Sequence, residues 1–160
     1  MAEKQWSVCS SDVTETRHLA SQLAGCLRGG EVIILKGDLG AGKTSFTQGL
    51  AKGMGINRTV NSPTFTIIKE YEGARFALYH MDAYRLEDET EALGLEEYFD
   101  ASGVCVIEWP EKIESQLPAE RLEIVIRKKR NDERLIQFHP VGEKYTHILQ
   151  QFFEGIGSKR

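Results

Sequence analysis

Apolar and polar positions along the chain fall into short blocks whose period changes from one block to the next. Asp12, with Glu15 three residues on, has the form of a helix-opening capping box. Leu19, Leu23 and Leu27 then recur at helical spacing until Gly29-Gly30 ends the segment. Residues 32–35 form a continuous apolar run, the mark of a strand buried on both faces. A second helical stretch is carried by Phe46, Leu50 and Met54. Strands are predicted over residues 65–71 and 76–81, joined near Glu72-Gly73. A helix over residues 87–99 and an apolar strand over 104–107 follow. Residues 122–126 and 135–138 read as a strand pair across the Asn131-Asp132 turn, and Tyr145, Ile148, Leu149 and Phe152 as a closing amphipathic helix.

Such an order specifies an α/β fold, a mixed sheet flanked by helices in three layers. No linker, repeat or low-complexity stretch interrupts it, so residues 1–160 are expected to form a single domain. The hydrophobic fraction of 41% suffices for a core at this length. No apolar run approaches the length of a membrane span, and Met1-Ala2-Glu3-Lys4-Gln5-Trp6 lacks the basic-then-apolar build of a secretory leader. The expected location is the cytoplasm. Cys9, Cys26 and Cys105 are widely spaced without a C-x-x-C pair, and are expected to be reduced and mostly packed. His18, His80, His139 and His147 show no metal-ligand spacing. A net charge of −4 lacks the footprint of an autonomous DNA or RNA binder. The one basic run, Arg127-Lys128-Lys129-Arg130, leads into a turn and reads as a solvated hairpin end.

Chemistry enters between the first apolar strand and the second helix. Gly37-Asp38-Leu39-Gly40-Ala41-Gly42-Lys43-Thr44 matches the phosphate-loop pattern G-x-x-x-x-G-K-[ST] at every fixed position. Glycines let the backbone turn tightly and aim its N–H groups at phosphate oxygens, and the following helix adds the positive end of its dipole. Lys43 supplies a cation for the β and γ phosphates, and the Thr44 hydroxyl is a ligand for Mg²⁺. The chain is therefore expected to be a P-loop NTPase-like protein that takes ATP or ADP with Mg²⁺. The nucleotide contacts are residues 37–44 together with Ser45.

Binding is not turnover, and two acids supply what turnover needs. Asp82 follows Leu78-Tyr79-His80-Met81 and Glu108 follows Val104-Cys105-Val106-Ile107, each at the carboxyl end of a strand, where open α/β sheets place their ligands. One can hold Mg²⁺ while the other orients or deprotonates a water. Either could instead cap a helix or pair with a base such as Arg85. Lys43, Asp82 and Glu108 are the candidate catalytic residues; Thr44, Asp82 and Glu108 are the candidate metal ligands. In Asn61-Ser62-Pro63-Thr64-Phe65-Thr66, the hydroxyls of Ser62 and Thr64 around a stiffening Pro63 suit a switch-like loop that feels the γ-phosphate, or a plain turn into a strand. Trp109, beside Glu108, packs in the core or covers the site.

Neighbouring classes fit less well. There is no N-K-x-D motif for guanine, and Asp100-Ala101-Ser102-Gly103 precedes a strand where a GTPase D-x-x-G follows one. A transporter signature is absent. A small-molecule kinase would want an arginine-rich lid, whereas residues 86–98 are acidic. A third possibility is a binding module that ATP merely gates.

The P-loop, Ser62-Pro63-Thr64-Phe65-Thr66, His80-Met81-Asp82-Ala83-Tyr84-Arg85, Gly94-Leu95-Glu96-Glu97-Tyr98-Phe99 and Glu108-Trp109, in this order, resemble the TsaE family, P-loop ATPases of bacterial tRNA threonylcarbamoyladenosine synthesis. The resemblance implies a partner-dependent ATPase. Members work with the TsaB–TsaD pair, which modifies the adenosine beside the anticodon, and their hydrolysis resets that complex between turnovers. Transfer RNA is met only indirectly, which suits the acidic balance. The implied roles are phosphate binding for Lys43, Mg²⁺ ligation for Thr44 and Glu108, and support of the metal or the attacking water for Asp82. Arg134 is placed near the adenine. Ser45 stands where the family often has a second threonine, which leaves Thr44 as the implied ligand. Arg85 is an internal candidate for an arginine finger. The implied behaviour is slow hydrolysis alone and faster hydrolysis with the pair.

Overall fold

The computed structural model describes residues 6–38, 40–60, 68–82, 95–99, 102–108 and 117–157. Its strands are β1 (Trp6–Ser10), β2 (Val32–Lys36), β3 (Ile68–Tyr71), β4 (Leu78–Asp82), β5 (Val104–Glu108), β6 (Arg121–Lys128) and β7 (Arg134–Val141). Its helices are α1 (Val13–Ala24), α2 (Lys43–Gly53), α3 (Leu95–Phe99) and α4 (Glu143–Gly157). The strands form one seven-stranded sheet in the order β1-β7-β6-β2-β5-β4-β3. β2 runs parallel to β5 and β6, and β4 parallel to β5, while the outer pairs are antiparallel. This is the expected mixed α/β sheet flanked by helices.

Two apolar layers sandwich the centre of the sheet. On one face Ile33, Leu35, Leu78, Val106 and Ile124 pack with Leu23, Leu50 and Phe152 of α1, α2 and α4. On the other, Val32, Ile34, Met81, Cys105 and Ile107 pack with Tyr98 and Phe99 of α3. β2 is buried on both faces, which its Val-Ile-Ile-Leu run anticipates. β6 alternates buried and half-buried positions over Arg121–Ile126, because only one of its faces is covered.

β1 lies outside the sequence-based expectation. In Trp6-Ser7-Val8-Cys9-Ser10 alternate positions are buried, and the strand adds to β7 at the sheet edge with Trp6 opposite Phe138. Two large apolar residues carry little periodic signal, and the partner lies near the other end of the chain. Helix α1 opens as expected, with the Asp12 carboxylate accepting from the Glu15 N–H at 2.8 Å. It stops earlier than Gly29-Gly30. Gly25 is its C-cap, and the Cys26 and Leu27 amides close i→i+3 turns onto Leu23 and Ala24. Leu27 still reaches the core. The leucine spacing thus marked a buried face that outlasts the regular helix.

The β6–β7 hairpin turns through Asn131, which has a left-handed φ of 54°. Its basic tip, Arg127 to Arg130, is exposed. Of the three thiols, all free, Cys105 is buried, Cys26 half-buried and Cys9 exposed. Burial pushes the Cys105 thiol up to about 12. Among the described residues no helix is long and apolar enough to cross a membrane.

Candidate active site

The segment 37–42 connects β2, at the centre of the sheet, to the start of α2. Local chemistry forces its shape. Gly40 and Gly42 have φ of 82° and 109°, a region that side-chain-bearing residues rarely enter. At Gly37 an added Cβ would lie 2.7 Å from the Ile126 carbonyl oxygen, so the loop passes β6 too closely for any larger residue. The Ala41 amide closes a turn onto the Asp38 carbonyl at 2.9 Å. Gly42 is the N-cap of α2 and carries no side chain to cap the helix end.

Lys43 begins α2, is 6% exposed, and donates from Nζ to the Gly37 carbonyl at 2.7 Å. Its ammonium is thereby folded back over the loop. Thr44 and Ser45 follow, half-buried, in the first helical turn. Asp38 and Gly40 are exposed and Ala41 is buried. Arg134 donates from Nε to the Ala41 carbonyl at 2.8 Å and from Nη1 to the Glu133 carbonyl at 2.9 Å. A longer contact of 3.4 Å runs from Nη2 to the Gly40 carbonyl. The guanidinium that the family resemblance placed near the adenine also grips the main chain of the phosphate loop.

The acids arrive from the neighbouring strands. Glu108 pairs laterally with Leu35 on one side and Asp82 on the other, at the carboxyl ends of three parallel strands. Register partners share a face, so both carboxylates point to the face on which Leu35 meets the core and α2 packs. Glu108 is 5% exposed and Asp82 half-buried. The Glu108 Oε2 lies 2.6 Å from Nε2 of His80, a fully buried ring on β4. This contact was not anticipated. Two signals were present: a polar residue inside an apolar strand, and its position two before Asp82, hence on the same face.

Thr44, Asp82 and Glu108 offer only oxygen donors, which fits a hard cation such as Mg²⁺. Among the described residues no group of three or more His, Cys, Asp and Glu side chains is placed to hold a metal alone. In nucleotide sites Mg²⁺ takes one or two carboxylates and completes its shell with phosphate and water. Among the described residues a separate cleft lacks this set of acids and hydroxyl. This cleft, of about 400 Å³ beside Arg28, Lys144 and His147, lies towards the opposite end of β2 from the phosphate loop. Leu39, Ser62, Pro63, Thr64, Arg85 and Trp109 lie outside the described residues.

Comparison with known proteins identifies the family. A family model described as "Threonylcarbamoyl adenosine biosynthesis protein TsaE" matches residues 10–136. A Bacillus subtilis (strain 168) protein described as tRNA threonylcarbamoyladenosine biosynthesis protein TsaE is 52% identical over 151 residues, 94% of each chain. A protein of the same description from Treponema pallidum (strain Nichols) is 42% identical over 120 residues, 74% of this chain and 88% of its own. The crystal structure of Bacillus subtilis YdiB matches with a TM-score of 0.86 at 45% identity, covering 98% of this chain and 99% of that one. The matched segment runs from the end of β1 into β7 and takes in the phosphate loop, both acids and Arg134; this chain belongs to the TsaE family of threonylcarbamoyl adenosine biosynthesis proteins.

Proposed function

We propose that this protein is a cytoplasmic ATPase serving tRNA threonylcarbamoyladenosine formation, that it acts on the TsaB–TsaD complex, and that it meets tRNA only through that complex. Membership of the family supports the pathway. What supports the chemistry is one observation: Lys43, Thr44, Asp82 and Glu108 gather around the carboxyl ends of β2, β4 and β5.

The loop amides and the start of α2 take the phosphates of ATP. Lys43 exchanges the Gly37 carbonyl for phosphate oxygens and offsets the charge that builds on the departing ADP. Thr44 and Glu108, with Asp82 in support, would hold Mg²⁺, which when bound would supply charge withdrawal from the phosphate groups. Asp82, the more accessible acid, orients the attacking water. As that water bonds to the γ-phosphorus, the bond to the ADP oxygen breaks, and a proton leaves the water for the carboxylate. The products are ADP and inorganic phosphate. Turnover is slow until TsaB–TsaD completes or orders the site.

The test is phosphate release from Mg-ATP with and without purified TsaB–TsaD, with Lys43→Ala as the blank. A low basal rate that rises with the pair supports the proposal. Glu108→Ala is expected to bind nucleotide while turnover falls at least about a hundredfold. Indifference to TsaB–TsaD would remove the partner assignment. A phosphorylated small molecule in place of free phosphate would make the protein a kinase.

A further inference from the structure

Among the described residues two glutamates are buried, and they are held differently. Glu31 accepts from the main-chain amides of Arg28 and Gly29 at 2.9 and 2.7 Å and pairs with the exposed Lys144 at 3.5 Å, so it serves the turn before β2. Glu108 is engaged by a side chain, His80, at 2.6 Å. The ring has no exposure and the carboxylate side chain 6%. A carboxylate has no hydrogen to give, so Nε2 is the donor and Oε2 the acceptor. Nδ1 is buried and has no hydrogen-bond partner among the described residues.

That orphaned nitrogen is informative. Burying an unpaired polar atom is costly, and a leucine or phenylalanine at position 80 would avoid it. Packing alone therefore does not explain a histidine here; its contact with Glu108 does. The strand geometry makes that contact specific. His80 lies opposite Val106, one same-face step below the Asp82–Glu108 pair, so the ring reaches Glu108 from beneath. With Oε2 engaged, Oε1 is the oxygen left to face a ligand.

We propose that His80 is the positioning residue of the site, fixing the Glu108 carboxylate through Oε2 so that Oε1 is presented to Mg²⁺ or to its bound water. The inference rests on the role given to Glu108 above. Metal ligands held by outer partners typically lose about ten- to a hundredfold in metal affinity or activity when the partner is removed.

Three variants separate positioning from packing. His80→Leu removes the donor and keeps the bulk. His80→Gln carries an amide nitrogen about as far out as Nε2, and His80→Asn carries one that falls short. Calorimetry of ADP binding with and without Mg²⁺ is the primary readout, beside kcat and KM for ATP. For His80→Leu and His80→Asn, ADP affinity without Mg²⁺ should stay within twofold of the parent. The gain in affinity that Mg²⁺ brings should fall about tenfold, and kcat for Mg-ATP should fall as well. His80→Gln should recover most of both losses. Should His80→Leu fail to fold, the Gln and Asn pair still decides, because equal Mg²⁺ responses in the two would overturn the proposal. Normal Mg²⁺ response in all three, with Glu108→Ala still inactive, would overturn it while sparing the ATPase reading. Full turnover in Glu108→Ala would instead remove the premise.

Discussion

Arg134, the first residue of β7, donates its Nε–H to the Ala41 carbonyl oxygen across 2.8 Å and so ties the β6–β7 hairpin to the phosphate loop. The glycines that let the loop turn also leave it little stiffness of its own, and the guanidinium supplies a rigid brace from outside.

Arg134→Met keeps the apolar stem and removes the brace. A hydrogen bond with a charged donor is worth about 1.5–3 kcal/mol, so the melting temperature is expected to fall by a few degrees and ADP affinity to drop about tenfold. Isothermal calorimetry checks this. Unaltered affinity would show that the loop is shaped by β2, β6 and α2 alone.

Helix α2 carries Lys43 and Thr44, and its seating depends on Gly49 and Gly53. A Cβ on Gly49 would collide with the Arg17 main chain of α1, and one on Gly53 would lie 2.5 Å from the Ser21 carbonyl oxygen. Gly49→Ala is therefore expected to destabilise the fold by about 1–3 kcal/mol in chemical denaturation. Gly155→Ala on α4, where an added Cβ meets nothing within 4 Å, should be neutral or stabilising by up to about 1 kcal/mol. Equal effects at the two positions would refute the close helix approach.

Lys36, directly before the phosphate loop, pairs with Glu123 of β6 at 2.6 Å, and Arg121 adds a second cation at 3.1 Å. Burial pushes the Glu123 carboxyl up, but the hydrogen bond and charge of Lys36, with those of Arg121, outweigh it and hold the carboxyl below its ordinary value of 4.5. A group whose folded pKa is depressed stabilises the fold above its unfolded pKa and loses that contribution as pH falls through the folded pKa. Glu123→Gln should therefore cost stability at pH 7, by no more than about 1 kcal/mol for a pair this open to solvent. The gap from the parent should close below pH 4.5, through the acid range. Denaturation curves at pH 7 and in acid measure it, and a gap that widened in acid would reverse the assignment.

Several features of the protein were legible in its sequence because they are local. The phosphate loop announces itself through the fixed spacing of Gly37, Gly42, Lys43 and Thr44, since backbone turn, cation and hydroxyl must all act on one phosphate chain. The capping of α1 and the doubly buried β2 are equally local, as are the acids ending β4 and β5. Tertiary structure alone decided what meets across the sheet. Parallel register set Asp82 beside Glu108 and put His80 beneath it, and the hairpin brought Arg134 to Ala41. Strand β1, too weakly patterned to stand out, exists because β7 offers it an edge and the core takes Trp6 and Val8. Sequence spacing records the period of a helix or strand and the chemistry of a contiguous loop. Which strands become neighbours, and in what register, is fixed by burying both faces of the sheet at once, and that depends on the whole chain.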